Sequence, residues 1–161
     1  MSELGSYAIV LALAAALWGV VASIIGATRK REDFVRSAEG AVYAMALAVC
    51  VAAGSLLTLL VTGDFSVAYV ADYTSKSLAV PYRFAAMWAG QGGSLLLWAW
   101  IVSLCAAWIT YANRIKSWQM SAYTTAVFAV VAGLFAVLVT FFASPFAPRS
   151  PSRRSVAIAS A

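Results

Sequence analysis

Polar and apolar positions along this chain neither alternate nor form narrow stripes; they are gathered into blocks. The eleven basic and six acidic side chains all fall outside four uncharged runs, residues 4–28, 40–63, 84–113 and 117–148, which count 25, 24, 30 and 32 residues. Each exceeds the roughly 20 residues that carry a helix across a bilayer. In hydrocarbon every backbone amide must be satisfied within its own segment or in a closed barrel, and barrel strands alternate; runs this long and uniform are helical. The predicted fold is therefore all-α and polytopic. Four transmembrane helices are expected at residues 7–28, 42–62, 94–111 and 121–142, with a loop over 63–93 and a disordered Arg/Ser/Pro tail over 148–161.

Composition agrees: 63% of the 161 residues are hydrophobic and 11% charged, against about 25% charged in soluble domains. The start, Met1-Ser2-Glu3, is acidic where a secretory signal is basic, so the first helix is read as a retained span. Lys and Arg in short loops mark the cytoplasmic side. Arg29, Lys30, Arg31, Arg36, Arg114 and Lys116 oppose Lys76 and Arg83 when the tail is set aside. This predicts a multi-pass protein of the inner (cell) membrane with its N-terminus and loop 63–93 outside, and loops 29–41 and 112–120 cytoplasmic. The net charge of +5 is then a topology signal directed at anionic lipid headgroups rather than at nucleic acid. Tyr43, Tyr111, Trp118 and Tyr123 are expected to form an inner aromatic belt, and Tyr7, Trp88, Phe141 and Phe142 an outer one.

Small residues spaced every four positions offer packing faces: Ala15, Gly19, Ser23 and Ala27 in helix one, Ala46, Cys50 and Gly54 in helix two, Ala99, Ser103 and Ala107 in helix three. No ionisable side chain lies inside the four predicted spans, which speaks against a pump or proton-coupled transporter built from this chain alone. There is no histidine, so bis-His haem ligation, an imidazole zinc site and a Ser-His-Asp triad are excluded within the chain. Cys50 and Cys105 stand singly in apolar surroundings and read as structural. Met45, Met87 and Met120 read as gap-fillers.

The segment from Gly63 to Trp100 is the most distinctive. Pro81 restricts Val80 to extended backbone and can open a helix, so a short aromatic-rich helix is expected over residues 82–88. Gly90, Gly92 and Gly93 allow a sharp bend before helix three, with Gln91 and Ser94 placed to satisfy freed backbone groups. Without the Lys-Ser/Thr that must follow, these glycines do not make a phosphate loop. Trp88, Trp98 and Trp100 read either as headgroup-level anchors or as a flat binding surface.

Three elements in this stretch, D-F-x-V-x-Y-V-A at residues 64–71, L-x-x-x-Y-R at 78–83 and W-x-x-x-x-G-S-L-L-L-W at 88–98, together resemble the CcmF-type family of cytochrome c biogenesis proteins, the membrane component of haem lyase. The likeness runs over about residues 3–147 and includes Ser144-Pro145-Phe146 after the fourth span. One departure is Gly92, where several members carry glutamate. The resemblance implies an outside N-terminus and haem chemistry on the outer face. It also implies that the family's tryptophan-rich haem motif and haem-ligating histidines lie beyond anything matched here. On that basis the chain is an N-terminal fragment or split subunit of a haem lyase, inactive alone and ligating no haem by itself. It would join other haem-lyase components or the remainder of a split protein, and meet the haem chaperone and apocytochrome c indirectly. The implied haem- or partner-facing residues are Tyr82, Arg83, Trp88, Gln91, Gly93, Ser94, Trp98 and Trp100. The competing expectation is a structural or accessory four-helix membrane subunit without haem.

Overall fold

A computed structural model describes residues 1–63, 67–73, 80–113, 118–142 and 145–146. Four long helices carry the architecture: α1 (Ser2–Arg29), α2 (Glu32–Thr62), α5 (Gln91–Asn113) and α6 (Trp118–Val137), the last running into a π-helical turn at Leu138–Phe142. Two short helices, α3 (Ala68–Tyr73) and α4 (Val80–Ala85), and a 3₁₀ turn at Ala86–Trp88 connect α2 to α5. All four long helices are apolar enough to span a membrane. The molecule is thus the all-α, four-span membrane protein that the blocks of sequence predict.

The helices form a ring in which α1 packs on α2, α2 on α5, α5 on α6 and α6 back on α1. Helix α2 is the most enclosed. Val35, Val42, Met45, Leu56, Leu59 and Leu60 on it are each at most 2% exposed. Large apolar side chains on α1, α5 and α6, among them Leu17, Trp108 and Leu134, face outward, as expected of helices whose surroundings are themselves apolar.

Helix α2 corrects the predicted boundaries most. At about 1.5 Å per residue its 31 residues reach about 46 Å, beyond a bilayer core of about 30 Å. The expected loop 29–41 shrinks to a two-residue turn. Lys30 closes α1 in the left-handed conformation (φ 51°, ψ 41°) with its N–H on Gly26 O, and Arg31 precedes α2. Glu32 and Asp33 lie in the first turn of α2, where carboxylates favour the positive end of the helix dipole. Helicity therefore continues through charged residues that cannot enter hydrocarbon but are comfortable at headgroup depth. The predicted span 42–62 still holds no ionisable side chain, but the longer helix carries Glu39 three residues before it, only 6% exposed within the bundle. The loop expected at 112–120 is shorter too, since α5 runs to Asn113 and α6 begins at Trp118.

The small-residue faces also shift. In α1 the buried positions are Gly5, Ala8, Ala12, Ala16, Gly19, Ala22, Ser23 and Gly26, so Ala15 and Ala27 fall at the edge; in α2 Gly54 is exposed. A stride of four residues turns 400°, so a strict every-fourth series drifts off the buried face, whereas alternating steps of three and four stay on it. At Gly19 three helices meet: an added Cβ would lie 3.6 Å from both Ala129 and Ala41 Cβ. The tail expected at 148–161 lies outside the described residues. Of the Ser-Pro-Phe element, Pro145 and Phe146 are described, and the Phe146 ring is buried against Gly5.

Candidate functional site at the aromatic end of the bundle

The end of the ring opposite the Lys30 turn is closed by α3, α4, the 3₁₀ turn and the start of α5. Tyr69 organises it. Val67, Tyr69 and Val70 are buried, and the Tyr69 hydroxyl reaches the backbone of the following connection. It stands 3.0 Å from Ala86 O, 3.1 Å from Met87 O and 3.4 Å from Gly90 O, and accepts the Gly90 N–H at 3.2 Å. One phenol thus serves the Met87 carbonyl and the Gly90 amide at the break between the 3₁₀ turn and α5, beside the Ala86 and Gly90 carbonyls that also accept the Ala89 and Ser94 N–H groups. Burial raises its pKa above the ordinary value of 10.0; the Gly90 backbone bond opposes this and the neighbouring Tyr73 adds to it.

The glycines follow from that knot. At Gly90 an added Cβ would lie 2.5 Å from Tyr73 Cε2 and 2.8 Å from Tyr69 Cε2, and the two tyrosine rings pack at 4.8 Å between centroids. At Gly93 a Cβ would collide with the Met87 carbonyl and the Tyr69 hydroxyl. The bend itself is confined to Ala89 and Gly90; Gly92 and Gly93, expected within it, already lie in the first turn of α5, and Gly93 is needed there for close approach rather than for bending. The expected short helix over 82–88 is present as α4 and the 3₁₀ turn together, starting two residues earlier at Val80.

The eight singled-out residues divide into four groups. Gly93 and Ser94 belong to the knot: the Ser94 N–H donates to Gly90 O at 3.0 Å and its hydroxyl to Gln91 O at 3.0 Å. Arg83 is half-buried and its Nη1 donates to Val61 O at 3.1 Å, capping carbonyls at the C-terminus of α2, where a cation also meets the negative end of the helix dipole. Tyr82, Trp88, Gln91 and Trp98 are exposed, Trp88 and Trp98 each at 55%. Trp100 parts from Trp98, because two residues turn a helix by about 200°. It points inward, its indole N–H donating to Cys50 Sγ of α2 at 3.1 Å. Asp64, Phe65, Ser66, Leu78 and Ala79 of the sequence elements lie outside the described residues.

Sequence reasoning missed Tyr69, Glu39 and an outward stripe on α5 formed by Trp98, Ile101, Leu104, Trp108 and Tyr111. The stripe was legible in its three- and four-residue spacing; Glu39 was hidden by placing the start of α2 too late. Among the expected belt residues, Tyr111 and Tyr123 are exposed towards the basic end and Tyr7, Trp88, Phe141 and Phe142 towards the other. Tyr43 departs from the belt: it is half-buried with its hydroxyl oxygen inside the bundle. The Trp118 side chain lies outside the described residues.

Haem iron finds no fitting ligand set among the described residues. The chain has no imidazole, the Met45 and Met87 side chains are each 1% exposed within the core, and the Tyr69 oxygen is engaged by backbone. What this end offers is a braced platform with an aromatic rim.

No family model matches the chain. It is 34% identical over 156 residues to the cytochrome c-type biogenesis protein CcmF of Pseudomonas aeruginosa, covering 92% of this chain and 23% of that protein. To CcmF of Haemophilus influenzae it is 26% identical over 151 residues, covering 94% of this chain and 23% of the relative. A solved structure of the cytochrome c haem lyase CcmF superimposes with a TM-score of 0.84 at 28% identity, over 93% of this chain and 25% of that one. The chain therefore spans about a quarter of the length of the relatives it matches. In sequence and in fold alike, it corresponds to the N-terminal region of CcmF-type cytochrome c biogenesis proteins.

Proposed function

We propose that this chain serves c-type cytochrome maturation as the N-terminal membrane part of a haem-lyase assembly, supplying four helices and a braced aromatic end rather than iron ligands. The observation that carries the reading is the superposition on a haem-lyase CcmF across 93% of the chain. Haem enters with the rest of the assembly, since no residue set among the described residues fits its iron. Tyr82, Trp88, Gln91 and Trp98, exposed at one end, form the surface that meets partners, while Arg83, Gly93, Ser94 and Trp100 hold that surface in shape. Positive charge at the Lys30 turn supports a cytoplasmic location for that end and an outer one for the aromatic end.

The test is affinity isolation of the tagged chain from membranes of cells making c-type cytochromes. Recovery of haem-lyase components or of haem is expected; recovery of neither, from a folded chain, overturns the proposal. A cysteine replacing Tyr82 is expected to react with a membrane-impermeant maleimide in intact spheroplasts. Reaction only after lysis would reverse the orientation.

A further inference from the structure

The seam between α1 and α6 carries two adjoining hollows whose chemistry changes along their length. Near mid-membrane, a groove of about 340 Å³ has a floor of Ala16 and Gly133 and walls of Leu17, Val21, Val130 and Leu134. The helices approach so closely at the floor that a Cβ on Gly133 would lie 3.3 Å from that of Ala16, while the walls are 48 to 61% exposed. Towards the Lys30 turn the same faces of the two helices continue into a second hollow of about 120 Å³, lined by Ser23, Thr28 and Tyr123 among apolar neighbours.

Ser23 is the telling group. It is 1% exposed and its hydroxyl oxygen has no hydrogen-bond partner among the described residues. Ser55, Thr58 and Thr140 return to their own helix, on Val51 O, Gly54 O and Ala136 O at 2.7 to 2.8 Å; Thr110 and Thr125 are buried and unmatched like Ser23, but neither lines this hollow. A buried hydroxyl left unmatched is destabilising, so a lining group of this kind points to an acceptor that arrives from outside. Directly beyond lie exposed Arg29 and Lys30, and residues 29 to 39 hold four cations against three acids.

We propose that this seam binds one anionic glycerophospholipid from the leaflet at the basic end. Its acyl chain lies in the apolar groove, its ester oxygens accept from Ser23 and Tyr123, and its phosphate meets Arg29 and Lys30. The dimensions agree: Leu13 to Thr28 covers about 22 Å at 1.5 Å per residue, half of a bilayer of about 40–45 Å. A covering helix would fill the apolar groove equally well but would not supply acceptors at Ser23 or counter-charge beyond it.

Photo-crosslinking of the full chain in native membranes, with p-benzoylphenylalanine in place of Val130, tests the occupant. An adduct of phospholipid mass is expected; a polypeptide adduct in its place overturns the proposal. Native mass spectrometry of the detergent-purified chain, supplied with phosphatidylglycerol and phosphatidylethanolamine, tests the headgroup. Preference for the anionic lipid is expected to fall about fivefold for each of Arg29→Gln and Lys30→Gln, and Leu17→Trp is expected to abolish retention while Leu104→Trp on α5 leaves it intact. Equal retention of both lipids, or full retention by Leu17→Trp, overturns it. The Gln variants alter only exposed positions, so the headgroup test holds even where Leu17→Trp fails to fold.

Discussion

At the scale of single residues, the aromatic end depends on one hydroxyl and one absent methyl. Tyr69→Phe removes the group shared by the Ala86 and Met87 carbonyls and the Gly90 amide, leaving buried polar atoms unmet. A loss of about 1–3 kcal/mol is expected, measured as a lower thermal unfolding midpoint in detergent. Gly93→Ala places a carbon where the Met87 carbonyl and Tyr69 hydroxyl already stand, and overpacking of this sort destabilises by about 1–3 kcal/mol. Combined with Tyr69→Phe it should show a smaller added loss than alone, because the two changes share a contact. The raised pKa of Tyr69 gives a signed pH effect. Below the ordinary phenol value of 10.0 both folded and unfolded forms are neutral and the contribution is constant. Above it the unfolded chain ionises first, so stability falls as pH rises towards the folded value. Unfolding midpoints of wild type and Tyr69→Phe should therefore converge above about pH 10. None of this was legible in the sequence: Tyr69 meets partners 17 to 21 residues away, and only the fold brings a phenol to a helix break.

At the scale of elements, the helix ends are where sequence and structure part. Apolar runs define how much of a helix lies in hydrocarbon, but a helix stops where its backbone finds other partners. Helix α2 begins ten residues before the predicted 42 because Glu32 and Asp33 favour its N-terminus. It stops at Gly63, whose φ of 69° suits a residue without Cβ and whose N–H bonds Leu59 O at 3.0 Å. Arg83 adds a second closure through Val61 O. Arg83→Gln is expected to lower stability by about 1 kcal/mol and to speed amide hydrogen exchange in the connection it braces, α4 and the last turn of α2, while exchange in α6 stays unchanged. An Arg facing only solvent or a partner would give no such local signature. The sequence did place a short helix after Pro81 and a bend at Gly90, because proline and glycine restrict or free the backbone locally.

At the scale of the molecule, exposure separates surface from support. Trp88 and Trp98 are each 55% exposed, so Trp88→Ala with Trp98→Ala should leave the unfolding midpoint within about 0.5 kcal/mol equivalent yet reduce recovery of haem-lyase partners in the affinity isolation. An unchanged recovery would assign these rings to lipid anchoring. The sequence by itself determined the class and number of spans, the segregation of basic charge at one end and the likeness to CcmF-type proteins. Hydropathy and charge act on each segment independently of its neighbours, since lipid requires every span to satisfy its own backbone. The tertiary structure decided which faces touch. It turned Trp100 inward to Cys50 and Trp98 outward, buried Glu39 in α2, and tied Tyr69 to the start of α5. Those outcomes depend on the rotation and approach of whole helices, set by the close packing of small residues such as Gly19 and Gly93 across separate segments, which no single run of sequence encodes.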